Sequence, residues 1–133
     1  NDSFCNNCGA DAKSESDTII KFDFGPYKKI DLHSYFIKTN GNSQNKDHSK
    51  TWRIEGSNDG QSWTKIDGRS NDESLNGPYK ECNFVCQHSS YGNVSNLFRY
   101  IRYIQQDNWY SNSNWKYIVH FTYFELYGSV VTI

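Results

Sequence analysis

Hydrophobic and polar residues alternate along most of this chain with the two-residue period of half-buried strands, and polar segments dense in Asn, Ser and Gly interrupt the alternation. Residues 18–24 (TIIKFDF) have strand character and stop at Gly25-Pro26. The run 28–39 (KKIDLHSYFIKT) is longer, and its alternation puts Ile30, Leu32 and Phe36 on one side unless the register changes near Ser34. Residues 40–50 (NGNSQNKDHSK) contain no apolar side chain and read as a solvated loop. The stretch 51–67 (TWRIEGSNDGQSWTKID) reads as a hairpin. Asp59-Gly60 supplies the positive φ of its turn, Trp52, Ile54 and Gly56 share one face, and Trp63, Lys65 and Asp67 share another. Further strands are expected in 79–86, in 98–106 with apolar residues on both faces, and within 116–131.

That makes six or seven strands and no convincing helix, an all-β β-sandwich or jelly roll over 18–133 behind an irregular segment 1–17. Composition agrees. Aromatic residues make up 17% of the 133 residues while Met is absent, so large rings must supply much of the core. One domain of this length buries a single core. Fourteen basic against 15 acidic residues leave a formal charge of −1, which disfavours a nucleic-acid binder that tracks the backbone. No apolar run approaches the ~20 residues of a membrane-spanning helix, and no secretory signal is recognisable. The chain reads as soluble, and because it opens on Asn1 it is expected to be an excised or processed piece.

Catalytic constellations are missing from the sequence: it has no GxSxG, no HExxH and no phosphate-cradling glycine loop. His33, His48, His88 and His120 are scattered, and the two inside strand runs, His33 and His120, are read as structural. The expectation is a protein that is not an enzyme. The cysteines form two pairs, Cys5/Cys8 and Cys82/Cys86. C-x2-C is a familiar half-site for zinc, but a straight strand from Cys82 to Cys86 spans ~13 Å, too far for a shared metal or a mutual disulfide. Free thiols in a reducing compartment are the leading reading, with a loop-to-strand disulfide as the rival and zinc on Cys5, Cys8, Cys82 and Cys86 as a third possibility that needs a bend at Cys86. No cofactor is expected. Asn1-Asp2-Ser3 and Asn93-Val94-Ser95 fit the glycosylation sequon, which chance supplies freely in a chain this rich in Asn and Ser.

Three segments, FDFGPYKKIDLHSYFIKT, TWRIEGSNDGQSWTKID and FRYIRYIQQDNWYSNSNW with its closing FTYFELYG, together resemble the coagulation factor 5/8 type C (discoidin) domain of the galactose-binding-like superfamily. The flavour is that of the intracellular subset found beside BTB domains in eukaryotic, notably protozoan, proteins. The resemblance covers residues 19–128 and implies a galactose-binding-like jelly roll with Trp52 and Trp63 as packing residues. It also implies a first strand ahead of FDFG, for which only about eighteen residues remain, so the domain is expected to lack that strand or to leave a sheet edge open. The family's calcium ligand falls on Tyr123, which makes calcium doubtful and leaves Glu125 a structural role, accepting hydrogen bonds from backbone or Arg.

Two loops are candidates for ligand binding: 40–50 with Asn45, Lys46, Asp47 and His48, and 107–115 with Trp109, Tyr110 and Trp115, where rings stack on sugar and amides meet hydroxyls. Trp109 is favoured as a loop anchor, Tyr110 and Trp115 as the exposed rings. The resulting expectation is a cytoplasmic, non-catalytic interaction module of a larger protein or assembly, contacting a protein partner through loops or a sheet edge. The alternative is a carbohydrate-binding, lectin-like domain of a secreted or surface protein.

Overall fold

Strands form where alternation coincides with β-branched and aromatic residues. The computed structural model describes residues 4–41, 46–87, 97–110 and 113–133. Among these it has β1 (Phe4–Ala10), β2 (Ile19–Asp23), β3 (Lys28–Thr39), β4 (Ser49–Ser57), β5 (Thr64–Arg69), β6 (Glu81–Val85), β7 (Leu97–Phe98), β8 (Tyr100–Asn108) and β9 (Val119–Thr132). Three short 3-10 turns, at Glu15–Asp17, Glu73–Leu75 and Ser113–Trp115, are the only helical pieces among the described residues. No helix of the described residues is long and apolar enough to cross a membrane. One sheet runs β1-β9-β3-β6, with the two-residue β7 also on β3, and the other runs β2-β8-β4-β5. All the pairings are antiparallel, and the two layers make the jelly-roll sandwich.

Two strands lie beyond those legible in the pattern. The segment expected to be irregular carries β1, which pairs along the outer side of β9 from Phe4 opposite Glu125 to Ala10 opposite Val119. The edge expected to stand open on β9 is therefore covered. β1 escapes an alternation test because its parity breaks midway: Cys5 and Cys8, three apart, both pack against the core. They are joined to each other by a disulfide, so two of the four sulfurs expected as thiols or zinc ligands are bonded, within β1 rather than between a loop and a strand. Cys82 and Cys86 are thiols, and burial pushes that of Cys86 up to about 12, leaving it little nucleophilic thiolate at neutral pH.

The core lies between the sheets. Ile30, Leu32, Tyr35 and Ile37 of β3, with Phe121, Phe124 and Leu126 of the adjoining β9, face Trp52 and Ile54 of β4 and Ile101 and Tyr103 of β8. A bulge between Leu32 and Ser34 turns Tyr35 inward, and Phe36, assigned by plain alternation to the side of Ile30 and Leu32, lies on the other face. A second bulge, at Ile54/Glu55 against β5, brings Asp67 inside beside Ile66 and separates it from Lys65. Trp63 keeps the outward parity of Lys65 and stands half-buried with the Arg102 guanidinium 3.8 Å above its ring. It packs on the outer face of the sandwich, whereas Trp52 is fully buried. In the 58–63 turn only Gly60, with φ +76°, is left-handed. Asp59 contributes a carboxyl oxygen that accepts from the Gln61 and Ser62 amides, not a positive φ.

Asp67 has no solvent exposure. It accepts from the Tyr35 hydroxyl, from Arg69 Nε at 3.1 Å and from the Gln87 amide at 3.2 Å. Tyr35 in turn accepts from Trp52 Nε1 at 2.9 Å. Trp52→Ala is expected to lose ~3–5 kcal/mol by cavity formation, and Tyr35→Phe about 1–3 kcal/mol by stripping a donor from a buried carboxyl. Urea denaturation checks both. A Tyr35→Phe protein as stable as the wild type would show that the network contributes nothing.

Candidate functional site

At one end of the sandwich three connections meet: the arm that follows β1, the β3–β4 loop, and the β8–β9 loop. Their meeting is organised by polar side chains that β8 turns inward as it ends. Tyr103, fully buried, meets Ser49 Oγ at 2.6 Å and donates to Gln105 Oε1 at 2.5 Å. Gln105 Nε2 donates to the Ile118 carbonyl at 3.0 Å. Asn108 Nδ2 donates to the carbonyls of Trp115 and Ile118 at 2.7 and 2.8 Å, while its Oδ1 accepts from the Tyr110 amide at 3.1 Å. Asn108 thereby closes the 109–118 loop around one side chain. Burial raises the Tyr103 hydroxyl far above its ordinary pKa, so it stays a donor.

The loop so held presents Trp115. Its residue is 48% exposed, and Tyr110 braces the ring edge-on at 5.2 Å. Beside it lies a cleft of about 480 Å³ lined by Asp11, Ala12, Lys13, Asn114, Trp115 and Ile118. Another cleft, of about 430 Å³, lies on the outside of the four-stranded sheet around Ile19 and Ile104. Its two arginines are both engaged, Arg53 with Glu15 at 2.6 Å and Arg102 with Glu55 at 2.6 Å, which leaves it without an uncommitted cation for a ligand.

The candidate residues separate. Trp115 and Tyr110 are together at the cleft. Trp109 is set apart: its Nε1 donates to the Ser49 carbonyl at 3.1 Å, Lys50 lies 5.0 Å over its ring, and its amide donates to the Lys46 carbonyl at 3.0 Å. Lys46 is exposed. Asp47 and His48, expected in a solvated loop, are 1% and 2% exposed. They face inward because Asn40 serves both: its Nδ2 lies 3.4 Å from each Asp47 oxygen, and its Oδ1 accepts from His48 Nε2 at 3.0 Å. Burial holds His48 below its ordinary pKa, with the Asp47 charge opposing. Asn45, His88 and both sequons lie outside the described residues. Glu125 is half-buried, and its partners are the hydroxyls of Tyr123 and Tyr127, at 2.8 and 2.6 Å, in place of backbone or Arg. No group of three or more His, Cys, Asp or Glu among the described residues is arranged to hold a metal ion.

Asp11, Lys13, Asn108 and His120 escape a reading by loops. His120 sits between the connections, Nδ1 2.5 Å from Asp47 Oδ2 and Nε2 3.1 Å from Asp11 Oδ1. The Asp47 hydrogen bond, against burial, raises its pKa above the ordinary value. Only one signal in the sequence hints at this cluster, the amides Gln105 and Asn108 at the polar end of a strand that opens Tyr-Ile-Arg-Tyr-Ile.

No protein-family model matches the sequence, and no curated protein matches it. Solved structures do match the fold. A fragment of a putative chitobiase from Bacteroides thetaiotaomicron aligns with a TM-score of 0.55 and 19% identity over 83% of this chain, which spans 59% of that fragment's length. The C-terminal domain of a chitobiase from Bacteroides fragilis aligns at 0.53 and 15% identity, over 86% of this chain and 74% of that one. The module CBM32-3 from a family 31 glycoside hydrolase of Clostridium perfringens aligns at 0.51 and 17% identity, over 95% of this chain and 88% of that one. The chain therefore has the jelly-roll β-sandwich fold of these structures. None of these neighbours is named as a BTB-associated domain.

Replacing Asn108 with Ala removes two donors from buried carbonyls, so a loss of about 1–3 kcal/mol is expected. Hydrogen exchange of residues 114–118 should accelerate in Asn108→Ala while the β3 and β4 amides keep their protection. Equal acceleration everywhere would mean that Asn108 serves the whole fold and not this loop.

Proposed function

We propose that the chain is a non-catalytic carbohydrate-binding domain that takes a glycan in the cleft between Trp115 and residues 11–13. The observation that carries this reading is the half-exposed Trp115 ring, braced by Tyr110 at the mouth of a cleft whose other walls bear Asp11, Lys13 and Asn114. An indole face stacks on the apolar face of a sugar, and a carboxylate, an ammonium and an amide supply acceptors and donors for its hydroxyls. A volume of about 480 Å³ lies in the range of small-ligand sites. The carbohydrate-binding module among the structural neighbours supports the same reading.

The interaction module expected from the sequence was to meet a protein partner through loops or a sheet edge, and β1 pairs along the outer side of β9 where such an edge would stand open. The Cys5–Cys8 disulfide favours a secreted or surface protein over a cytoplasmic one, since such bonds persist in oxidising compartments.

A glycan array probed with the purified chain tests the proposal. Binding to at least one glycan class is expected, with a loss of about tenfold or more in Trp115→Ala, the size of ~1.4 kcal/mol of stacking. Trp115 is exposed, so the variant should fold. A folded wild-type chain that binds no glycan, or a Trp115→Ala chain that binds as well as wild type, would sink the idea.

A further inference from the structure

We propose that His120 is a positioning residue that ties the 11–13 wall of the cleft to the buried Asp47, and that the tie holds only while both ring nitrogens carry protons. The cleft is then walled at low pH and loses that wall as pH rises. The tie stands on geometry alone, and its effect on ligand rests on the glycan reading above.

Each ring nitrogen of His120 faces a carboxyl oxygen, Nδ1 at Asp47 and Nε2 at Asp11. An ionised carboxylate only accepts hydrogen bonds, and a neutral imidazole has a single N–H to donate. Both contacts are satisfied together only by the imidazolium form. The halves of the bridge differ in what holds them. Asp47 is 1% exposed and anchored by Asn40, whereas the Asp11 side chain is 81% exposed on a connection without sheet pairing. When the proton leaves, it leaves from Nε2, because Nδ1–H is held by the shorter contact with the buried partner. The Nε2 lone pair then faces the Asp11 carboxylate, and attraction becomes repulsion.

The surroundings sharpen this. From the β3–β4 loop, His120 faces Asp47, and His48 stands 4.0 Å behind it. His48 donates to Asn40, and burial lowers its pKa, which disfavours a cation beside Asp47. From β1, Gly9 comes close to the ring: a Cβ there would lie 2.6 Å from His120 Cδ2, and glycine brings no charge of its own. From the arm come Asp11 and, on the same cleft wall, Lys13. A raised His120 pKa agrees with two carboxyls and no competing cation in contact. A histidine raised on folding contributes fully below its unfolded value near 6.5 and loses the contribution as pH climbs through the folded one.

NMR on the labelled chain tests the tie without any ligand. Between about pH 5 and pH 9, the amides of Asp11, Ala12 and Lys13 should titrate with the midpoint of His120 Cε1. In Asp11→Asn the side-chain amide donates to neutral Nε2, and its oxygen accepts from the protonated form. The wall should therefore stay tied across the range and the His120 midpoint should fall. In Asp11→Ala the wall should be loose at every pH. Wall amides that ignore the His120 titration in the wild type, or that still follow it in Asp11→Ala, overturn the proposal. With a glycan from the array, wild-type affinity should weaken by about fivefold across the His120 midpoint, the low end of coupling between sites, and Asp11→Asn should give a flat profile. A flat wild-type profile would refute the pH control. An array without hits would remove the glycan reading while the NMR result still decides the tie.

Discussion

The sandwich is organised around one buried carboxyl. Asp67 sits between the sheets with no access to water, and a lone charge there would cost several kcal/mol. Its donors come from both layers and from the chain just beyond β6: Tyr35 from β3, Arg69 from β5, and the Gln87 amide. Trp52 completes the set by donating to Tyr35, and Arg69 reaches on to the Val85 carbonyl at 2.7 Å. Burial keeps the Tyr35 hydroxyl protonated, so it remains a donor to Asp67. Because every partner is directional, the layers have one relative placement in which all are satisfied, which an apolar contact alone would not impose.

From that fixed placement a second polar column runs to the cleft. Tyr103 stacks near Trp52 at 6.4 Å and meets Phe121 and Phe124 edge-on, so its hydroxyl is aimed by the aromatic core. Gln105 and Asn108 carry the hydrogen bonds outward to the carbonyls of Trp115 and Ile118. A tryptophan on a connecting loop is therefore located by buried groups rather than by the loop's own conformation, and under the proposed glycan reading a ring positioned in advance would lose less entropy when a sugar arrives.

Much of this fold was legible because period two, aromatic density and Gly-Pro breaks mark β2 to β6, β8 and β9 directly. What escaped did so where alternation is broken on purpose. Phe36 and Tyr35 exchange sides at the bulge near Ser34, and Asp67 changes sides at the bulge opposite Ile54/Glu55. A pattern argument assigns sides by counting, and one extra residue inverts the count. The loop 40–50 failed differently: a wholly polar run was read as wet, yet Asn40 gathers Asp47 and His48 into a hydrogen-bonded interior that no periodicity encodes. Of the candidate site, Trp115 and Tyr110 were visible as aromatic residues in an Asn- and Ser-rich loop. Asp11 and His120 were not, since they meet only through the pairing of β1 with β9.

That pairing itself depends on a matched defect. Thr122 is an extra residue in β9 relative to β3, its hydroxyl donating to the Thr39 carbonyl at 2.8 Å, and opposite it in β1 stands Asn7 with φ +48°. Past this point parity reverses in both strands: Phe124 and Leu126 are buried on one side of it, Val119 and Phe121 on the other. The same reversal puts Cys5 and Cys8 on the core side with Cα atoms 6.0 Å apart, where a straight strand would hold them ~10 Å apart. The disulfide thus clamps the kink. Without the kink, His120 would share the inward parity of Phe124 and Leu126, and neither Asp47 nor Asp11 could meet it. The cysteine pair that the sequence offers as a metal half-site or as thiols acts, in this geometry, on the orientation of a histidine in the neighbouring strand, opposite Gly9.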